Sequence, residues 1–101
     1  MYKWTTPTFT YELEEDINLE EATDVYVAFS LSPNGKKTFL VKNDLEIEGN
    51  TVKVYLTQCE SGSFPVGRVY MMINWTYIDG QRACTVPIAM SVHGNMIERL
   101  L

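Results

Sequence analysis

The sequence predicts an all-β sandwich of about seven strands in two packed antiparallel sheets, and three observations carry that expectation. Apolar residues recur with period two along most of the chain. Turn-forming residues interrupt the pattern at roughly the 8–12-residue spacing of short sandwich strands. No strand–helix–strand unit is visible, so nothing supplies the crossover that a parallel sheet requires.

The elements follow in order. Phe9, Tyr11 and Leu13 alternate with Thr8, Thr10 and Glu12, which reads as a first strand with one wet face. Pro7 suits its start, where a missing N–H costs little. Ile17 and Leu19 anchor the connection, and Asn18 can cap a single helical turn before the β-branched run begins. Val25, Val27, Phe29 and Leu31 form a second alternating set. Ser32-Pro33-Asn34-Gly35 then turns the chain into a third strand over 38–42, with Phe39 and Val41 expected on the core side. Leu45 and Ile47, the turn Gly49-Asn50, and Val52, Val54 and Leu56 predict a hairpin.

Residues 57–65 break the alternation and read as a crossover between sheets with one helical turn. The longest strand follows, with Val69, Met71, Ile73, Trp75 and Tyr77 on one face and Tyr70, Met72, Asn74 and Thr76 on the other. Asp79-Gly80 is a hairpin turn. In the return strand Pro87 marks a bulge or an edge, and a register shift there moves the inward set from odd to even positions. The division expected is a sandwich over 1–93 and a tail over 94–101. In that tail Ile97, Leu100 and Leu101 share one side if it is helical; the alternative is a frayed end.

The chain's 101 residues hold one domain. A folded chain of this size exposes about 5,800 Å² against about 17,000 Å² when extended, enough burial for a core without metal or disulfide staples. The apolar fraction of 46% argues against disorder despite a net charge of −5. Eight basic residues face thirteen acidic ones, with no basic run, so neither nucleic acid nor an anionic membrane is an expected partner. The longest uninterrupted apolar run is far short of a membrane span, and the N-terminus lacks a secretory apolar region, so synthesis in the cytoplasm is expected. Cys59 and Cys84 are expected to be free, buried thiols.

No phosphate-cradling glycine motif, metal-ligand spacing or nucleophile–base pattern is present, so no catalytic, cofactor or metal residue is assigned and no enzyme is expected. His93 with Asp79 or Glu98 is the one combination worth examining for chemistry. The carboxylates Glu12, Glu14, Glu15 and Asp16 lack the glycine turn of a calcium loop and read as a solvated strand end. The aromatic residues are more suggestive. Phe9, Phe29, Phe39 and Trp75 fit core faces, but Tyr2, Trp4, Tyr26, Tyr55 and Tyr70 are hard to bury together. Outer-face aromatics bury large area at modest entropy cost when a partner covers them. Tyr26, Tyr55, Tyr70 and Trp75 are the candidate contact residues.

The stretch Leu56-Thr57-Gln58-Cys59-Glu60-Ser61, followed by Phe64-Pro65-Val66-Gly67-Arg68-Val69, resembles a recurrent pattern in small phage and prophage proteins of Gram-positive bacteria, related to the N-terminal domain of the phage baseplate upper protein. The likeness extends over about 16–92 and includes the long strand and the Asp79-Gly80 turn. It implies an immunoglobulin-like sandwich and a non-enzymatic structural role in a tail or baseplate. The implied partners are copies of itself or other phage structural proteins, and the implied destination is a virion. In fold terms, Thr57 can cap the crossover turn, Phe64 can plug the core where the chain changes sheets, and Gly67 can supply a conformation closed to other residues. The competing expectation is a carbohydrate-binding module, in which flat aromatic side chains stack on sugar rings.

Overall fold

The computed structural model describes residues 1–99, and within them the expected all-β sandwich is present. Eight strands form: β1 (Thr8–Glu12), β2 (Ala22–Ser30), β3 (Thr38–Lys42), β4 (Glu46–Glu48), β5 (Thr51–Tyr55), β6 (Gly67–Tyr77), β7 (Arg82–Cys84) and β8 (Ile88–Val92). One helix, α1 (Gln58–Gly62), lies between β5 and β6, and a 3-10 turn (Leu19–Glu21) precedes β2. The smaller sheet has the order β1-β5-β4. The larger has β3-β2-β6, with β7 and β8 both pairing with the far side of β6. All strand pairs are antiparallel. This order is that of the immunoglobulin-like sandwich, in which β1, β5 and β4 occupy the places of B, E and D, and β3, β2, β6 and β7–β8 those of C′, C, F and G.

β7 and β8 are two halves of one edge strand interrupted at residues 85–87. The ladder survives the interruption in part because Thr85 stands in for a strand residue. Its backbone N–H donates to the Ile73 carbonyl at 2.9 Å, and its hydroxyl Oγ1 accepts from the Ile73 N–H at 3.1 Å. The inward set changes from Ala83 before Pro87 to Ile88, Met90 and Val92 after it, the expected shift from odd to even.

The core lies between the sheets. Val25, Val27 and Phe29 of β2 and Val69, Met71, Ile73 and Trp75 of β6 face Val52 and Val54 of β5. At one end the crossover closes it. Thr57 and Glu60 form a capping box on α1, each side chain accepting from the other's backbone N–H. Phe64 is fully buried and meets Phe29 and Phe39 edge-on, with ring centroids 5.1 and 4.9 Å apart. A buried ring of this size contributes about 2–3 kcal/mol. Gly67 opens β6 at φ +121°, a region that side chains disfavour.

Two departures from expectation trace to one bulge. The register between β2 and β3 shifts between Phe29 and Ser30, so Leu40 lies opposite Phe29 and Lys42 opposite Val27. Leu40 and Lys42 therefore point inward, while Val41 faces out and is 56% exposed. Phe39 sits at the bulge and reaches the core only at Phe64. Leu31, expected on the core face, lies past the end of β2 and is exposed.

The N-terminal residues add to the larger sheet before the chain crosses to β1 in the smaller one. Lys3 donates through its backbone N–H to the His93 carbonyl, and the His93 N–H donates to the Met1 carbonyl, in a parallel bridge beside β8. Trp4 then takes φ +64° and lays its indole over Gly62, where a Cβ would stand 2.4 Å from the ring. Ser61 Oγ donates to the Thr5 carbonyl at 2.6 Å and fixes this docking. Extents of 46 × 26 × 19 Å explain an exposed surface of 6375 Å², above the value for a compact chain of this size. Residues 94–99 form bends rather than a helix, and Leu100 and Leu101 lie outside the described residues.

Candidate interaction face

The two outward faces of the sandwich differ sharply. On the smaller sheet, residues facing out in register are Thr8, Thr10, Glu12, Thr51, Lys53, Glu46 and Glu48, a polar and acidic set with Tyr55 as its one aromatic. The Tyr55 hydroxyl donates to a Glu46 carboxylate oxygen. That hydrogen bond above all, with some burial and the Glu46 charge, pushes the Tyr55 hydroxyl above its ordinary pKa.

The outward face of the larger sheet is apolar and concave. Ala28 of β2 lies opposite Met72 on one side and Val41 on the other, and Ser30 opposite Tyr70 and Thr38. Small residues between larger neighbours leave a trough along β2, with Tyr26 at one end and Tyr70 toward the other. The β2–β3 connection forms a wall over it through Ser32, Pro33 and Gly35, giving a groove of about 450 Å³.

Short-range hydrogen bonds hold that wall. The Ser32 backbone N–H donates to Ser30 Oγ, and the Ser32 hydroxyl donates to Asn34 Oδ1 at 2.6 Å. The Lys36 N–H donates to the same Asn34 oxygen, and the Thr38 hydroxyl to the Gly35 carbonyl. The loop chemistry is thus the Asx and Ser turn chemistry that the sequence carries.

At the Tyr26 end the groove is polar. Asn74 lies opposite Tyr26, and Arg82 of β7 reaches back to donate through Nη2 to Asn74 Oδ1 at 3.3 Å. Among the described residues both ion pairs involve Lys42, so Arg82 has no carboxylate within 4.0 Å.

Of the four candidate contact residues, the structure brings Tyr26 and Tyr70 together on this groove. Tyr55 lies on the opposite sheet, a sandwich thickness of about 10 Å away. Trp75 is corrected to a core residue. Its odd position in β6 points inward, it is 4% exposed, and its indole N–H donates to the Tyr77 hydroxyl. Met72, Asn74, Val41 and Arg82 belong to the face but are absent from the sequence candidates. The first two share the even parity of Tyr70, a pattern present in the sequence. Val41 was hidden by the bulge, and Arg82 by a strand too short to show alternation.

The structure does not bring His93 and Asp79 together. His93 lies beside β8 with its ring 5.3 Å from that of Tyr2. Because Val92 pairs with Gly67 and Asp79 follows the far end of β6, the two are separated by about 35 Å along the strand. Among the described residues no three His, Cys, Asp or Glu side chains converge to hold a metal, and no helix is long and apolar enough to cross a membrane. Cys59 and Cys84 are free but exposed rather than buried. The first sits on the solvent side of a one-turn helix, and the second faces out from an edge strand.

Lys42 is the buried charge, and its chemistry is structural. At 5% exposure its ammonium donates to Glu60 Oε1 at 2.7 Å and to the Tyr55 carbonyl at 2.5 Å, tying β3 of one sheet to β5 and α1. Partial burial raises the Glu60 carboxyl. Hydrogen bonds from Lys42 and the Thr57 backbone N–H, with the Lys42 charge, outweigh it and hold the group below its usual range.

Fold and surface define a small β-sandwich with one apolar, concave sheet face and no assembled catalytic constellation among the described residues. No family model, curated protein or solved structure matches the chain.

Proposed function

We propose that this chain is a non-enzymatic structural and protein-interaction module of a phage or prophage tail or baseplate. In this reading it is made in the bacterial cytoplasm, is incorporated into the virion, and contacts copies of itself or neighbouring tail proteins. The sequence likeness around Leu56–Gly67 motivates the phage assignment. The observation that carries the interaction role is the outward face of the larger sheet, where Tyr26, Tyr70, Met72 and Val41 surround a trough on a rigid β-scaffold. Apolar and aromatic area of this kind, rimmed by polar residues, is the composition of an interface core. The face is a better contact than the edges, since the free edges are short, and strand addition needs a continuous row of unpaired backbone groups.

Light scattering across protein concentration, alone and with the proteins encoded beside it, tests the role. Association that Tyr26→Ser and Tyr70→Ser abolish together, with unchanged thermal unfolding, is the expected result. Association indifferent to both substitutions refutes the assignment of the face. A glycan-array signal lost in Tyr26→Ser would instead support the sugar-binding alternative, and neighbouring genes unrelated to tails would refute the phage assignment.

A further inference from the structure

The charges on the sandwich are segregated. Arg68 and Arg82 face out from the larger sheet, and Lys36 and Lys37 stand in the loop that walls the groove. Asp24, opposite Thr76, and Asp79 in the β6–β7 turn are the nearby carboxylates in sequence and register, and neither pairs with Arg82. The other outward face carries Glu12, Glu46 and Glu48 against Lys53. In a chain of net charge −5, the one charged side chain lining the apolar groove is the basic Arg82, with Arg68 and the loop lysines beyond its rim.

This distribution selects among occupants. Two copies meeting groove to groove would oppose Arg68, Arg82 and the loop lysines with like charges. A second copy offering its smaller sheet would bring negative charge but mostly threonine and glutamate, which leaves the Ala28 trough unfilled. The volume is also that of two or three side chains, less than a flat protein face would need.

We propose that the groove receives a short extended segment of a partner protein in which an apolar residue is followed closely by an acidic one. This rests on the interaction role proposed for the same face and specifies its partner. The apolar side chain fills the trough over Ala28, between Tyr26, Met72 and Val41. The carboxylate meets the Arg82 guanidinium, which Asn74 already turns toward the groove at 3.3 Å. A guanidinium without a carboxylate can accept one in bidentate geometry, and charge-assisted bonds of this type exceed neutral ones. The hydrogen-bonded β2–β3 loop keeps the site formed before binding, which lowers the ordering cost.

The test is an NMR titration of the labelled full chain with end-capped heptapeptides containing Leu-Asp, Phe-Asp or Phe-Glu at the centre. The same peptides with Asn or Gln in place of the acid serve as the comparison. Acidic peptides are expected to shift the amides of Ala28, Met72 and Asn74 and the Arg82 side-chain signal, with affinity about tenfold above the amide versions. Arg82→Gln should erase that tenfold difference while leaving weak apolar binding, and Ala28→Leu should fill the trough and block both. Equal binding of acid and amide peptides, or shifts confined to the smaller sheet, overturns the inference. No peptide binding together with association that depends on Tyr26 and Tyr70 overturns the inference but leaves the interaction face standing. No binding and no association at any concentration, alone or with the neighbouring gene products, overturns both.

Discussion

Replacing Lys42 by methionine keeps most of the stem in the core and removes the ammonium. Two partners lose their donor: the Tyr55 carbonyl, at 2.5 Å, and Glu60 Oε1, at 2.7 Å. The carbonyl loses a bond worth about 1 kcal/mol. Glu60 is 25% exposed and keeps the Thr57 N–H, so water compensates part of its loss and the ion-pair contribution comes to about 1–2 kcal/mol. The expected destabilisation is about 2–3 kcal/mol near neutral pH, read from urea unfolding with an unchanged m-value. Glu60→Gln should cost a similar amount, because it leaves an ammonium at 5% exposure with neutral acceptors and Asp44 only at 3.8 Å. The double variant should be more stable than the sum of the two losses predicts, with a coupling of about 1–2 kcal/mol. The pH dependence has a fixed sign. Glu60 is held below its ordinary value in the folded chain, so the pair's contribution is present above the unfolded carboxyl pKa of about 4.3 and disappears as pH falls through the folded value. The gap between wild type and Lys42→Met must therefore narrow below about pH 4.3. A gap unchanged from neutral pH to pH 3 (about 1.3 units below that value), or strictly additive single losses, would refute the reasoning.

Three further outcomes follow from the same geometry. Thr85→Val removes the hydroxyl that accepts from the Ile73 N–H in the core and should cost about 1–3 kcal/mol, with Thr85→Ser retaining most of it; equal stability of Val and Thr would show the bond is dispensable. Gly62→Ala places a methyl 2.4 Å from the Trp4 ring and should displace the indole, shifting tryptophan emission to the red and costing about 1–3 kcal/mol, with little added by Trp4→Ala; unchanged emission would contradict the docking. Both thiols should react with a water-soluble disulfide reagent in the folded chain, at rates little altered by denaturant, since Cys59 and Cys84 are exposed and unpaired.

Period-two patterning made β2, β5 and β6 readable, because the buried apolar positions of each fall at every second residue. Turn chemistry placed the Asp79-Gly80 and Gly49-Asn50 reversals, and Pro87 announced the shift within the last strand. The inward Lys42 was not readable: Phe39 is an extra residue in β3 opposite the Phe29–Ser30 step, it flips the face of the rest of the strand, and nothing in the composition of 38–42 marks it as bulged. The same flip hid Val41 from the candidate face. Trp75 carried two expectations, core and contact, and strand parity alone decides for the core. The docking of Trp4 on Gly62 joins residues far apart in the chain, so only tertiary structure reveals it. The Thr57 cap, by contrast, was read from the sequence, and the structure adds Glu60, three residues on, as the other half of a capping box.

The break between β7 and β8 has a consequence for life at high concentration. A foreign strand laid along that border finds three rungs at β7, then a proline without an N–H, and then β8, already bridged near its end by the chain's own first residues. Zippering of one molecule onto the next stalls there before it can grow into a fibril. That border therefore offers a neighbouring backbone no continuous ladder to extend.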